Sequence, residues 1–149
     1  MMSLTIDPLA PGVYNLSGVI NEYTDLTPLL KKPGSSLILN LKGISYINSL
    51  GVTRWLGMLR DLEVEGKSVE YQECSQPFLL QCSMVLTLTQ GVKLSSGYVS
   101  HYCEDCAESF MQLVQFEKVN LSEIPSFPCP SCGKDTPMED EDQLDFLKG

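Results

Sequence analysis

Residues 36–66 read SLILNLKGISYINSLGVTRWLGMLRDLEVEG and contain the two patterns that decide the fold. The first seven residues alternate leucines with other residues, as in a largely buried strand, and Gly43 is expected to end that strand. After a connection over 44–47, apolar residues recur at helical spacing, which predicts an amphipathic helix over about 49–65. The apolar face of this helix comprises Val52, Trp55, Leu56, Leu59 and Leu62.

The segments before this stretch continue the alternation of strands and helices. Residues 12–20 favour one or two short strands, with Gly18 as a kink or bulge. A brief helix capped by Thr24 or Asp25 is expected to run through Lys32, because the Pro-Gly pair that follows would stop it. These elements lead directly into the strand at residue 36.

The segments after it predict more elements of both kinds. Residues 67–73 alternate as a strand does, and 75–83 favour a short helix. Short strands are expected over 86–102, and 109–116 fits either a strand or a helix, of which we favour the strand. The order of elements predicts an α/β fold, with a mixed sheet flanked by helices and a small domain of short strands after it.

Length and charge limit the possible functions. The chain has 149 residues, 10 Lys and Arg against 19 Asp and Glu, and a net charge of −9. Residues 103–149 hold three basic and eleven acidic side chains, so nearly all of the excess lies there. Nucleic-acid binding relies on neutralising phosphates with Lys and Arg. We therefore expect no nucleic-acid partner.

The sequence also bears on location. The N-terminus has neither a basic region nor an apolar stretch, so we expect no signal peptide, and the longest apolar-leaning stretch is too short to span a bilayer. We expect a cytoplasmic protein without a membrane anchor. The cysteine usage described next is consistent with a reducing compartment.

Four of the six cysteines form two Cys-x-x-Cys pairs, which are Cys103 with Cys106 and Cys129 with Cys132. This spacing is typical of a tetrahedral structural zinc site, because each tight turn presents two sulfurs. The main alternatives are four buried cysteines without a metal, or a redox dithiol at the second pair. The pattern favours one structural Zn²⁺ in a small ribbon of short strands. The expected domains are 1–95 and 96–149, the second ending in an acidic segment.

The run LILNLKGISYINSLGVTRWLGMLRDLEVEGKSVEYQECSQPFLLQ, residues 37–81, resembles a STAS domain, the module of bacterial anti-sigma-factor antagonists. The resemblance covers roughly residues 12–90 and rests on a strand, a turn and the helix after it. The family's Asp-Ser-Ser/Thr-Gly turn corresponds to Asn48, Ser49, Leu50 and Gly51. The whole chain also resembles bacterial proteins that append a zinc ribbon to a STAS domain, with an Ile-Asn-Ser-x-Gly-Val turn followed by Trp.

The resemblance implies a non-enzymatic regulator of signalling or transcription. In the family, the serine corresponding to Ser49 is phosphorylated by a partner serine kinase that also acts as the anti-sigma factor. The implied partner is therefore such a kinase, or another signalling protein. The alternative is a STAS scaffold without phosphorylation, or a small-ligand-binding module, in which Ser49 only caps a helix.

The physics of the predicted helix agrees with a partner surface beside Ser49. At 100° per residue, four residues share a stripe separate from the apolar face, and with the capping residue they form the candidate partner-binding set: Asn48, Ser49, Thr53, Gly57 and Arg60. Gly57 is notable because glycine destabilises a helix by about 1 kcal/mol relative to alanine. Either something packs closely on Gly57, or the chain tolerates this loss.

We find little that indicates an enzyme. The chain has one histidine, no Gly-x-Ser-x-Gly turn and no phosphate-binding glycine loop. Cys74 and Cys82 are expected to be buried rather than nucleophilic, since a nucleophilic cysteine needs a nearby base. Four sulfur ligands would fill a tetrahedral metal site and leave no open position for a substrate. We therefore expect a binding protein.

Overall fold

The computed structural model describes residues 3–117 and 126–139. Within these residues, the first part of the chain combines strands and helices, and the described part after Leu94 consists of strands and their connections. The strands are β1 (Leu4–Ala10), β2 (Val13–Ile20), β3 (Ser36–Ile47), β4 (Ser68–Gln72), β5 (Lys93–Leu94), β6 (Ser96–Cys103), β7 (Glu108–Gln115), β8 (Phe127–Pro128) and β9 (Asp135–Thr136). The helices are α1 (Thr27–Leu30), α2 (Ser49–Val64) and α3 (Gln76–Met84), with a 3₁₀ turn at Leu86–Leu88.

A five-stranded mixed sheet forms the framework. Its strand order is β1-β2-β3-β4-β5, in which β1 pairs antiparallel with β2 and the other neighbours pair in parallel. The parallel strands alternate with helices along the chain, as crossover connections require. This confirms the α/β class and the mixed sheet.

One face of this sheet packs against the helices. Alternate residues of β3 point toward them, and Leu37, Leu39 and Leu41 are buried. Trp55 of α2 and Phe78 of α3 complete the same cluster, with their ring centroids 5.2 Å apart. The opposite face carries polar side chains that are half-buried or exposed. The main core therefore lies between the sheet and the helices.

The second part of the chain begins with a separate hairpin. Strands β6 and β7 pair antiparallel, β8 pairs with β9, and a small cluster centred on Val99 and Val114 lies between them. β5 closes the first sheet at Leu94, and β6 opens the second at Ser96. The predicted division into 1–95 and 96–149 falls between the two sheets and stays a prediction.

Several predicted elements are confirmed with small shifts. The helix predicted over 49–65 is α2, the strand at 67–73 is β4, and the helix at 75–83 is α3. The favoured strand at 109–116 is β7. The register of β2 against β3 shifts beside Gly18, which has φ of 113°, so the predicted irregularity is confirmed.

Other expectations were wrong. Gly43 does not end a strand, because β3 continues to Ile47 through the predicted connection 44–47. The helix expected up to Lys32 covers only Thr27–Leu30. Its N-cap residue is Leu26, but the predicted capping residue Asp25 does accept a hydrogen bond from the Thr27 N–H at 3.0 Å. The predicted apolar face of α2 lacked the buried Met58, whereas the predicted members Leu56 and Leu59 do pack against the core and are partly buried. Further, β1 was not predicted, and Leu86–Leu88 forms a 3₁₀ turn rather than a strand.

Of the helices in the described residues, α2 is the longest, with 16 residues. Within residues 3–117 and 126–139, the structure has no helix of the length and apolar character needed to cross a membrane. The acidic end of the chain, apart from Glu139, lies outside the described residues.

Candidate functional site

The four cysteines of the two pairs come together in space. Cys103 ends β6, Cys106 lies in the turn before β7, and the second pair flanks the turn after β8. All four sulfurs lie within 4.8 Å of one another. The Sγ atoms of Cys103 and Cys132 are 3.6 Å apart, and those of Cys106 and Cys129 are 3.9 Å apart. This cluster is a possible metal site.

The sulfur spacing fits a tetrahedral metal ion. Four sulfurs at about 2.3 Å from one zinc ion lie about 3.8 Å apart in a regular tetrahedron. The two short distances in the cluster bracket that value. The donor set and these two sulfur–sulfur distances therefore suit a metal ion of this size.

Both cysteine turns end in a left-handed residue. Gly133 follows Cys132 with φ of 76°, and its N–H donates to the Cys129 carbonyl at 2.8 Å. The corresponding residue in the first turn is Ala107, with φ of 54°. This conformation is unfavourable for a residue with a Cβ. The first turn is therefore held in shape by its surroundings.

Backbone amides stabilise one thiolate directly. The amides of Cys132 and Ser131 donate hydrogen bonds to the Cys129 sulfur, which lowers the pKa of Cys129 to about 7. Hydrogen bonding with the Cys132 sulfur and burial raise the pKa of Cys106. Thiolates crowded together repel one another, so a cation at their centre would favour the deprotonated state of the whole cluster.

The single histidine is separate from this cluster. His101 is fully buried, with its ring stacked on Phe110 at 5.4 Å and edge-on to Phe127 at 5.2 Å. Its Nδ1 lies 3.1 Å from the Val99 carbonyl oxygen. The ligand atoms that come together are the four sulfurs, and His101 belongs to the small core behind them.

The second candidate site is the turn between β3 and α2. Asn48 has extended backbone angles, and its Oδ1 accepts a hydrogen bond from the Gly51 N–H at 2.7 Å. This is the N-cap predicted from the sequence. Ser49 is the first residue of α2 and is exposed. Its hydroxyl therefore lies at the positive end of a long helix.

Asn48 makes a second contact that the sequence did not reveal. Its Nδ2 donates to Glu22 Oε2 at 3.0 Å. This bond is the main reason why the pKa of Glu22 lies below its ordinary value. The amide thus uses its acceptor for the helix and its donor for the end of β2. An aspartate at this position could make only the first contact.

Gly51 allows α2 to begin against the end of β2. A Cβ at this position would collide with the Ile20 carbonyl group and with the Asn21 nitrogen, which lies 2.9 Å from the Cβ position. The helix start is therefore pressed onto the sheet, and only glycine fits there. The motif match identified Gly51, but this close approach depends on residues 31 positions earlier.

The stripe predicted beside Ser49 is exposed. Thr53, Gly57 and Arg60 all face outward on α2, away from the buried face. No described atom lies within 4 Å of a Cβ placed on Gly57. The sheet therefore does not explain this glycine. Phosphorylation of Ser49 and partner binding by Asn48, Ser49 and this stripe stay predictions.

Exposed apolar residues lie within two positions of Asn48 or next to Glu22, which Asn48 contacts. Leu50 is 56% exposed, and Tyr46, two residues before Asn48, is 53% exposed. Tyr23, the neighbour of Glu22, is 80% exposed. Exposed apolar groups that cluster on a surface typically mark an interaction site. We call these three side chains, together with Ser49, the Ser49 surface.

A polar cleft on the helix-free side of the sheet was also not predicted. It has a volume of about 530 Å³ and is lined in part by Asp7, Asn15, Asn40, Lys42 and Glu73. Glu73 has φ of 49°, and its carboxylate accepts from Asn40 Nδ2 at 2.6 Å and from the Tyr98 hydroxyl at 3.3 Å. Asn40 and Glu73 are 33 residues apart in the sequence, so no local sequence pattern predicts their contact.

The chain was compared with known proteins. It matches no known protein family, and no curated protein shows significant sequence similarity to it.

Proposed function

We propose that the protein is a non-enzymatic regulatory module of the STAS type, which binds a serine kinase or anti-sigma factor through the Ser49 surface. The observation that carries this proposal is the exposed hydroxyl of Ser49 at the start of α2, next to the exposed Tyr46 and Leu50. A kinase needs an accessible hydroxyl, and a protein partner needs apolar area to bury. The turn offers both at one place.

Phosphorylation would act as the switch. A phosphate on Ser49 would add about −1.5 to −2 charges, and the helix terminus would stabilise it by about 0.3–1 kcal/mol. The modified chain would therefore remain folded. A partner that had buried Leu50 and Tyr46 would now meet a charged, hydrated group, so the modification would release it.

The four cysteines have a structural role in this proposal. They hold one Zn²⁺ and thereby stabilise the β6–β7 hairpin, whose own apolar cluster is small. Four thiolates occupy every position of a tetrahedral zinc ion. No substrate binds to the metal.

A second candidate function has one observation in its favour. The polar cleft beside Glu73 lies on the helix-free side of the first sheet, and ligand sites are typically clefts in which a few polar groups are precisely placed. A small polar ligand bound there would make the chain a ligand-binding module in which Ser49 is only a helix residue. Ser49 modification would then be absent.

The first experiment is mass spectrometry of protein purified from its native cells under several growth conditions. A loss of about 65 Da on denaturation would identify one zinc ion per chain. An added mass of about 80 Da, mapped to Ser49, would identify the phosphate. Zinc without phosphate under every condition would contradict the switch and favour the scaffold or ligand-binding alternative.

The second experiment tests binding to a purified kinase or anti-sigma factor recovered with the protein. We expect Ser49→Asp to weaken binding and Ser49→Ala to preserve it. Ser68→Asp is the control, because Ser68 is exposed at the opposite end of the parallel strands. Equal losses for Ser49→Asp and Ser68→Asp would show that added charge anywhere disrupts binding, and would overturn the assignment of this surface.

A further inference from the structure

We propose that metal occupancy of the four-cysteine site stabilises the Ser49 turn, so that metal loading regulates the Ser49 surface. This inference rests on the proposed function for its biological meaning. Its physical basis is a continuous path of contacts from the cysteines to the turn. The path runs through β6 and α3.

The first step is the dependence of the hairpin on the metal. Among the described residues, the apolar cluster beside β6 and β7 has three buried hydrophobic members, Val99, Val114 and Phe116. A core of this size does not hold two strands together without a further link. Cys103 ends β6 and lies in the sulfur cluster, so a bound metal fixes the far end of this strand. Without metal, we expect the hairpin to open.

The second step joins the hairpin to the start of α3. Cys74 lies between β4 and α3, its N–H donates to the Ser96 carbonyl at 3.1 Å, and its carbonyl accepts from the Tyr98 N–H at 2.9 Å. Gly97 between them packs tightly, since a Cβ there would lie 2.8 Å from Leu79 Cδ1 of α3. When the hairpin opens, the chain leading into α3 loses the two backbone hydrogen bonds of Cys74, and α3 itself loses the contact between Leu79 and Gly97.

The third step joins α3 to the Ser49 turn. β4 pairs with β3 only as far as Asn40, so the second half of β3 has α3 beside it in place of a strand. The helix is anchored there at its N-cap and in its second half, because the Ser75 N–H donates to the Leu41 carbonyl at 3.2 Å and Gln81 Nε2 donates to the Ile47 carbonyl at 3.3 Å. Ile47 immediately precedes Asn48, the N-cap of α2.

The proposal distinguishes a metal-bound and a metal-free arrangement of the hairpin and α3. With metal, the hairpin covers α3, and α3 holds the end of β3 from which α2 starts. Without metal, β6 no longer packs on α3. The end of β3 then loses the hydrogen bond from Gln81 to Ile47, which lies on the side of β3 away from β2. The linkage is thermodynamic, since a ligand that binds only the closed state stabilises whatever closes with it.

Hydrogen exchange on the full-length chain tests the inference. The chain is loaded with Zn²⁺ or stripped with a chelator, and the amides of α3 and those of Gly51 and Val52 are followed. The Gly51 amide donates to the Asn48 side chain and the Val52 amide donates to the Asn48 carbonyl, so the exchange of these two amides reports directly on the turn. At a free zinc concentration about 100 times the dissociation constant, exchange that requires hairpin opening should slow by about 100-fold.

The expected result is a loss of protection in β6, α3 and the two turn amides on metal removal, with little change where β1 pairs with β2. If β6 loses protection and the turn amides keep theirs, no coupling exists. If β1 and β2 lose protection equally, the metal holds the whole fold and not a path. Either result would overturn the inference.

A pair of variants locates the last step. Gln81→Ala removes the side chain that reaches Ile47, so we expect zinc still to protect α3 but no longer the amides of Gly51 and Val52. Gln76→Ala, at the start of the same helix, should leave both effects intact. Identical behaviour of the two variants would refute the route through Gln81. None of these readouts needs a kinase or a phosphate, so failure of the proposed function would be seen separately.

Discussion

At the level of single residues, Asn48 shows why an amide suits the turn. Its two polar atoms serve different partners, the Gly51 N–H and the Glu22 carboxylate. In Asn48→Asp the helix cap would remain, but two carboxylates would face each other at hydrogen-bonding distance. We predict lower stability at neutral pH and a pKa of Glu22 above its present value, measured by urea unfolding at several pH values and by NMR titration.

The lowered pKa of Glu22 determines how the stability difference between the native chain and Asn48→Asp should change with pH. In the native chain the pKa of Glu22 is lowered, so its contribution is present above its ordinary pKa of 4.5 and is lost as pH falls. In the Asn48→Asp chain, lowering the pH protonates the two facing carboxylates and removes the repulsion between them. The two chains should therefore differ most near neutral pH and converge below pH 4.5. Adding Glu22→Gln should restore stability to Asn48→Asp, and a constant difference across pH would contradict the contact.

Gly57 separates the two explanations for a glycine inside a helix. Its Cβ position is open, so Gly57→Ala should introduce no clash and should stabilise the chain by about 1 kcal/mol. Urea unfolding measures this gain. If a partner packs on the bare backbone there, the same change should weaken partner binding. A destabilised Gly57→Ala chain would show that something in the molecule already occupies this space.

The two cysteine turns provide an internal comparison. Ala107 and Gly133 occupy the same left-handed position, but only the alanine carries a Cβ. Ala107→Gly should relieve about 1 kcal/mol of backbone strain, and Gly133→Ala should introduce a similar amount. Because metal binding and folding of the turns are coupled, chelator competition should show about fivefold tighter binding in the first variant and weaker binding in the second. Equal affinities would mean that the surroundings adapt.

At the level of elements, the strands show where local pattern fails. β3 continues past Gly43 because β2 approaches closely there, and a Cβ on Gly43 would lie 2.9 Å from Ser17 Cα. The glycine permits this contact and does not end the strand. β1 contains Asp7 and Pro8, which disfavour a strand locally, but it lies at the sheet edge and pairs only with β2. Both errors arise from contacts between strands that one sequence does not show.

The helix α2 was predicted well because its signals are local. Its apolar spacing, its Asn48 cap and Gly66 all lie within one segment. Its attachment to β4 is not local. Trp55 Nε1 donates to the Tyr71 hydroxyl at 2.9 Å, and that hydroxyl donates to the Leu88 carbonyl at 2.7 Å. These three residues are fully buried.

This buried network yields a stability prediction. Tyr71→Phe would leave the Trp55 N–H and the Leu88 carbonyl without their partner, and each such group typically destabilises a core by about 1–3 kcal/mol. We expect a loss in this range by urea unfolding. Tyr14→Phe is the control, because Tyr14 is buried in the same cluster but its hydroxyl makes no described hydrogen bond. Equal losses in the two variants would argue against the network.

At the level of the whole molecule, the two candidate sites differ in how far sequence could predict them. The four cysteines were identified completely, because two tight turns of fixed spacing limit where their sulfurs can lie. The contact of Asn48 with Glu22 and the cleft at Glu73 join residues 26 and 33 positions apart. Such contacts depend on strand order and register, which only the folded chain supplies.

The predicted boundary at residue 95 can be tested by ending the chain there. All members of the main core lie between Tyr14 and Leu88, so the shortened chain should unfold cooperatively. Among the described residues it would lose five hydrogen bonds made across the boundary. Two are made by Cys74, one runs from the Glu73 N–H to Ser96 Oγ, one from the Tyr98 hydroxyl to the Glu73 carboxylate, and one from the Phe116 N–H to the Ser95 carbonyl. At about 1 kcal/mol each, these bonds predict a loss of about 5 kcal/mol in the free energy of unfolding.

The metal-stripped full chain is the matched control for this truncation. If the hairpin opens without metal, stripping should reproduce most of the truncation's loss, whereas Zn²⁺ should have no effect on the shortened chain. A shortened chain that does not fold would show that the boundary is wrong and that the first sheet needs the hairpin. A stripped chain as stable as the loaded one would show that the small cluster of Val99, Val114 and Phe116 holds the hairpin without a metal.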